Sequence, residues 1–404
     1  MTTTASTTQG EVLPPPTERY TVLGWLKKNL FGSWLDAILT ILAALFIAWA
    51  VYTGANWVFK TARWDVIVNN FALFMKGQYP TEEAWRLWLV IYLAAAIGGL
   101  MWGVFVRSRE MAGWLLLILP LLFALAALAL GSNVWINVLL IDVVALVAYF
   151  LGRTFPKQLQ RPTITLLLLY LPLILLIVRG FGENGFMPQV GTNFWGGLLL
   201  SLLLAIIGIV FSFPIGVLLA LGRQSELKAI HWLSVIYIEV IRGVPLVTLL
   251  FMGMVMLPYV LPAGLRIDNF IRVAVAIVMF AAAYLAENVR GGLQSIPKGQ
   301  YEAADAIALG GFAKMTRIIL PQALRAVIPV LVGQFIGLFK DTSLVALVGL
   351  FDLLGIARAV LANPNYIGTQ LEVYTFIALV YWVFSYGLSY ASKRLETSLG
   401  VGER

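Results

Sequence analysis

Cysteine is absent from the 404 residues, so no disulfide or thiolate chemistry is available to this chain. Histidine occurs once, at His231 beside a predicted span end, which rules out a metal centre built on several histidines of this chain. Charge is scarce as well. Asp, Glu, Lys and Arg together make up 12% of the residues against 60% hydrophobic, and mean hydropathy is +0.89. A globular domain is about a quarter charged, so the composition is that of a polytopic membrane protein. The catalytic signatures are missing too. There is no GxxxxGK[ST] phosphate loop, no HExxH, no Ser/His/Asp grouping and no Gly-rich dinucleotide turn. The chain is therefore not expected to hydrolyse nucleotide by a P-loop, and an intramembrane enzyme is a poor fit. The formal charge of +8 is spread between apolar runs rather than gathered in one patch, which speaks against a nucleic-acid partner and for cytoplasmic loop bias.

What the chain does have is long apolar runs. After a Thr- and Pro-rich start (1–18) that reads as disordered and lacks the pattern of a secretory signal, ten runs approach the roughly 20 residues that a bilayer requires. They are 35–59, 86–106, 112–130, 134–151, 163–178, 195–221, a Pro/Gly-broken run at 232–261, 272–289, 327–350 and 373–388. The short Gly131-Ser132-Asn133 turn predicts a tight hairpin between the third and fourth. No internal repeat is visible. Residues 35–180 are plain Leu/Ala spans, whereas 190–395 carry polar motifs inside spans, and 180–191 is the natural boundary.

The positive-inside rule sets the orientation. With residues 1–34 as a cytoplasmic tail, the inner segments hold Arg107 and Arg109; Arg153, Lys157 and Arg161; Arg223 and Lys228; and Arg290, Lys298, Lys314, Arg317 and Arg325. The C-terminal tail, with Lys393 and Arg394, is then cytoplasmic as well, and the outer loops 131–133 and 181–194 carry no Lys or Arg. The first outer loop, with three bases, is the weak point of this assignment.

The longest polar interruption of the second half, 295–322, falls on the cytoplasmic side. Ser295 can cap and Pro297 suits a first turn, so 298–309 is expected to be a short helix that Gly310 and Gly311 end in left-handed geometry. A second short helix is expected at 312–319, with Pro321 opening the next element. Ala303, Ala304 and Ala306 would offer a small-residue surface for docking, with an ordinary amphipathic loop as the plainer reading. Charges inside spans cost about 2.5–3.5 kcal/mol each and need a partner or a purpose. Glu239 and Arg242, three apart, can pair with each other just before the break at Gly243 and Pro245. Lys340, Asp341, Thr342 and Ser343 form a polar cluster in an apolar span. Two polar-interrupted spans point to a midplane solute site, and paired acid and base suit a zwitterionic amino acid; the alternative is a structural ion pair. Glu287 and Arg290 are explained by snorkelling to the interface, and the lone Asp142 by a helix–helix hydrogen bond.

Four motifs, in order, carry a resemblance over 190–395. The segment Glu302-Ala303-Ala304, followed by Ile319-Leu320-Pro321, resembles the EAA loop of ABC importer permeases. The runs 238–246 (IEVIRGVPL), 340–344 (KDTSL) and 321–325 (PQALR) resemble its polar amino-acid branch, and the long N-terminal extension is similar in kind to permeases of general L-amino-acid transporters of bacteria. One departure stands out: the family's Gly six positions after the Glu is here Ala308, so the turn is expected to begin two residues later, at Gly310 and Gly311.

The resemblance implies an all-α polytopic inner-membrane protein whose last five spans form a type I importer permease core, with a cytoplasmic coupling helix at 297–320. It implies two cytoplasmic ATPase subunits that bind ATP and Mg, leaving this chain without a cofactor. A second permease subunit, a paralogue or a copy, and a periplasmic amino-acid-binding protein complete the assembly. Glu302, Ala303, Ala304, Asp305 and Gly310 are then the ATPase-coupling residues, with Glu302 and Asp305 pairing to bases on the ATPase. Glu239, Arg242, Lys340, Asp341, Thr342 and Ser343 are the substrate-binding or gating candidates. The competing expectation is an ion-coupled secondary amino-acid transporter, which would work alone.

Overall fold

The computed structural model describes residues 21–105, 134–182, 185–262 and 264–398. The chain divides into two compact units at Trp64/Asp65. In the first, α1 (Val22–Leu30) is capped by the Thr21 side chain, and α2 (Trp34–Asn56), capped by Ser33, runs through a π turn to Thr61. The expected tail 1–34 thus contains a short helix, with Lys27 and Lys28 placed favourably at its C-terminal end. No residue of α2 is buried, as suits a helix apolar all round and surrounded by lipid.

The second unit is likewise helical. It comprises α3 (Asp65–Lys76), α4 (Trp85–Phe105), α5 (Val134–Thr154), α6 (Pro156–Arg179), α7 (Gly197–Arg223) and α8 (Lys228–Gly243). The chain continues through α9 (Leu246–Phe251), α10 (Leu257–Val260), α11 (Asn269–Gln294), α12 (Lys298–Ala306) and α13 (Gly311–Lys314), and ends with α14 (Leu320–Asp341), α15 (Leu353–Leu361) and α16 (Gln370–Ser398). Eight helices among the described residues are long and apolar enough to cross a membrane. The pair Lys228–Gly243 and Leu246–Val260, bent by 103°, makes a ninth if counted as one broken span. The bend falls at the Val244-Pro245 break that the sequence marks. The expected span 112–130, with the 131–133 turn and Arg107 and Arg109, lies outside the described residues. The expected span 327–350 is part of a longer helical run, Gly311–Val348.

Lipid supplies no hydrophobic drive between helices, so they associate through close van der Waals contact and polar bonds. Gly99 and Gly103 on α4 meet α5 backbone to backbone: a Cβ at either would lie 2.3 Å from a carbonyl oxygen, of Ala145 or Tyr149. The polar bond across this pair runs from the Tyr92 hydroxyl to Asn137 Oδ1, at 2.8 Å. Asp142, expected to make such a bond, is buried with its Oδ2 unpartnered among the described residues. The α7–α11 contact also rests on glycine: a Cβ at Gly216 would lie 2.6 Å from the Leu285 side chain and 2.9 Å from Ala282 O, and one at Gly208 would meet Ile277 of α11 and Leu338 of α14. Residues 65–179 share this core. Tyr79, Leu171, Ile174 and Val178 lie in one apolar cluster with Leu204 and Ile277, and the Tyr79 hydroxyl donates to Val178 O at 2.9 Å. The 180–191 segment bridges the two parts without breaking the packing. It is tied back by Arg86, itself buried and paired with Glu83 at 2.7 Å, which donates to Pro188 O.

A polar hairpin, an ionic hub and a buried cap

The polar stretch after α11 folds as a hairpin with α12 as its first arm. Ser295 caps the end of α11, its Oγ donating to Gly292 O at 2.8 Å, and Pro297 takes the N-cap position of α12. The closure of α12 corrects the expectation. Ala308 has φ 55, in the left-handed region, and its N–H donates to Asp305 O at 2.9 Å, while Leu309 N–H donates to Ala304 O at 3.2 Å. Those two bonds make a Schellman closure, with alanine at the position where glycine is favoured. The turn therefore begins at Ala308, not two residues later. Gly310 is extended and caps the next helix. That helix is not a short separate element either. A π turn, Met315–Ile319, joins α13 to α14 and accommodates Pro321, which lacks an N–H, so the run continues unbroken.

Within the hairpin Ala304 is buried, whereas Asp305 is exposed and pairs with Lys314 at 2.7 Å. Gln322 Nε2 donates to Gln300 Oε1 at 3.1 Å across the base. Tyr301, Met315 and Ile319 pack against Val289 and Leu293 of α11, so the hairpin root is continuous with the helix core. Glu302, Ala303 and Ala306 face out, with Ile307 68% and Phe312 84% exposed. The two apolar side chains were not singled out in the sequence, where they look like ordinary members of amphipathic turns.

Glu239 and Arg242 do not pair with each other. Glu239 pairs with Arg223, the last residue of α7, at 3.0 Å, and Arg242 pairs with Glu287 of α11 at 3.5 Å. Glu287 also receives Arg223 at 3.4 Å and is bonded to Arg290, while Arg242 lies over the Tyr284 ring, 5.5 Å from its centre. Glu287 is thus the hub of three arginines on three helices, not a snorkelling side chain. Three Arg less two Glu leaves the hub at +1. Each side chain is partly solvated, so each pair is worth about 0.2–1 kcal/mol, and the hub can rearrange. Asn288 donates to Gln334 Oε1 at 2.7 Å and Gln334 to Ala281 O at 2.9 Å, which ties α11 to α14.

The residues Lys340, Asp341, Thr342 and Ser343 lie where α14 becomes a 3-10 turn, Thr342–Val348. Lys340 is exposed and Asp341 and Ser343 are half-buried, whereas Thr342 is buried, its Oγ1 donating to Phe339 O at 2.7 Å. Beside them is a residue that sequence reasoning missed. Asp352 is fully buried and caps α15 by accepting from Gly355 N–H at 2.9 Å, and the Tyr381 hydroxyl, which faces Ser201 and Thr342, reaches its other oxygen at 3.4 Å. Burial pushes the Asp352 carboxyl up to about 7, against the pull of the Gly355 and Leu354 N–H groups, Tyr381 and Arg358. The two sets of solute-site candidates are not brought together. One neighbours Ser201 in the first turns of α7 and the other Arg223 at its end, about 33 Å apart along the helix.

Two predictions follow from this geometry. Left-handed alanine costs about 1–2 kcal/mol, so Ala308→Gly slows amide hydrogen exchange across Lys298–Ala306; unchanged exchange refutes the strain. For Asp352 the folded carboxyl titrates above its ordinary 3.8. Its protonated form therefore favours the fold, a contribution complete below about 4 and lost as pH rises through about 7. Asp352→Asn flattens the fall in melting temperature between pH 5 and 8, and a slope identical to that of the parent protein contradicts this.

Comparison with known proteins identifies the family. Residues 212–400 match the model of the binding-protein-dependent transport system inner membrane component family. The chain is 38% identical over 396 residues to the inner membrane amino-acid ABC transporter permease protein YhdY of Escherichia coli K12, covering 94% of this chain and 93% of that one. It is 36% identical to the glutamate/glutamine/aspartate/asparagine transport system permease protein BztC of Rhodobacter capsulatus, covering 96% and 95%. A shorter relative, the glutamate/aspartate import permease protein GltK of Escherichia coli O157:H7, is 38% identical over 198 residues, covering 48% of this chain and 87% of its own length. These matches set aside an ion-coupled secondary transporter, and the chain belongs to the binding-protein-dependent ABC permeases as an inner-membrane, non-catalytic component of an amino-acid importer.

Proposed function

We propose that this permease imports polar amino acids, pairing with a second permease subunit and taking its energy from two cytoplasmic ATPases that dock on the hairpin 297–320. The observation that carries this reading is the outward face of the hairpin, Glu302, Ala303, Ala306, Ile307 and Phe312, on a root packed into α11 and α14. Movement of that face passes through Ile319 and Tyr301 to α11, where the Glu287 hub joins α7, α8 and α11. ATPase closure shifts the hairpin, and the partly solvated ion pairs exchange between two arrangements of a bistable bundle. ATP and Mg belong to the ATPases, and a periplasmic binding protein delivers the solute. The positive-inside count supports cytoplasmic termini. Asp305, held by Lys314, stiffens the hairpin, and Glu302 is the acid left to pair with a base on the ATPase.

For the solute, the name of the relative from Rhodobacter capsulatus joins glutamate, glutamine, aspartate and asparagine. Exposed Lys340 at the end of a span suits the carboxylate of such a zwitterion, with Asp341 and Ser343 for the ammonium; Thr342 holds the turn. Glu239 and Arg242, in the hub near the hairpin, act in gating.

Glu302→Lys abolishes substrate-stimulated ATP hydrolysis in proteoliposomes while the complex still assembles; undiminished stimulation sinks the docking role. Lys340→Ala raises the uptake KM for acidic amino acids at least tenfold and alters the preference among acidic, neutral and basic solutes. Equal uptake across all three classes counts against a site at that turn.

A further inference from the structure

The helix α3 lies in the N-terminal extension, outside residues 212–400 that match the family model. Its 12 residues are too few to cross a bilayer. One face is buried, through Val66, Ile67 and Phe74, and the Phe74 ring sits 5.3 Å from that of Phe376 in α16. At its end three stretches of backbone meet without side chains between them. Gly77, with φ +60, lies so close to Gly196 that a Cβ would be 2.4 Å from the Gly196 Cα. Gly197, with φ +61, leaves room for a Cβ only 2.3 Å from Phe74 O, and its N–H donates to Phe351 O at 2.8 Å. The next residue is Asp352, the cap of α15, and Leu353 N–H donates to Ser201 Oγ of α7 at 3.3 Å. The helix α15 in turn packs on the Thr342–Val348 turn. All of this lies at the start of α7, the end of the bundle opposite the hairpin, since the end of α7 meets Glu287 just before the hairpin.

We propose that α3 is a clamp by which the N-terminal extension positions α15 and the Thr342–Val348 turn, and so holds that end of the solute path in its resting arrangement. Small motions there need the 77, 196–197 and 351–352 backbones to slide as one, and Phe74 and the glycine contacts tie the end of α3 to them. Releasing the clamp lets the turn move without solute, which uncouples ATP hydrolysis from delivery. The inference rests on the hairpin-coupling reading above, and Glu302→Lys, which silences stimulation by itself, separates the failure of that reading from the failure of this one.

The test uses the full complex with its ATPase and binding protein in proteoliposomes. Phe74→Ala and Gly77→Val raise basal ATP hydrolysis several-fold and lower the ratio of stimulated to basal rate at least threefold. Phe74→Leu restores the ratio, and Val68→Ala on the exposed face of α3 leaves it unchanged. If Phe74→Ala does not assemble, Phe71→Ala, whose ring also faces Phe376, gives the same readout. A parent-like ratio in these variants overturns the clamp, as does a parallel loss of basal and stimulated rates, which marks a purely structural role.

Discussion

The close approach of α7 to α11 is the contact on which the rest of the second unit is built. Between helices in lipid there is no hydrophobic gain to collect, so adhesion depends on how near two backbones can come. Gly216 admits the Leu285 side chain and the Ala282 backbone of α11, Gly208 admits Ile277, and buried Ala281, Ala282, Ala283 and Ala286 keep the side chains of α11 short. Because α7 runs the length of the bundle, this one seam fixes the positions of both its ends. Arg223 is thereby delivered to Glu287, and Ser201 to Leu353.

Those two ends differ in their physics. At the hairpin end the polar groups are partly solvated, with Glu287 shared among three arginines. At the other end the contacts are dry and backbone-to-backbone, with a buried carboxyl that favours its proton. The unbroken helix from Gly311 to Val348 connects them, and its π turn shows how Pro321 is absorbed without interrupting that connection.

Much of this was readable along the chain. The spans follow from apolar runs, the break in the broken span from Gly243 and Pro245, and the hairpin from a polar stretch with helix-compatible spacing. What failed was pairing. Glu239 and Arg242 share a helix face at a spacing that allows an ion pair, and sequence proximity is the only partner a single chain of letters displays. Once α8 folds back, Arg223 and Glu287 offer closer counter-charges, so the local pair gives way to the hub. Ala308 misled in the other direction. Alanine rarely accepts left-handed geometry, so the turn was assigned to the following glycines, but the Schellman bonds to Ala304 and Asp305 hold Ala308 there. Asp352 gave no signal, because one acid beside an apolar run looks like a loop residue until burial is known.

By itself, then, the sequence determined the class of molecule: runs of about 20 apolar residues demand helices, which satisfy every backbone group in lipid, and its motifs single out the polar hairpin and the family. The tertiary structure decided which charges meet, which way Ala304, Thr342 and Phe312 face, and that the extension reaches the start of α7 through α3. Those are relations between residues far apart in the chain, set by the distance at which glycine and alanine let two backbones touch, and no local pattern encodes that distance.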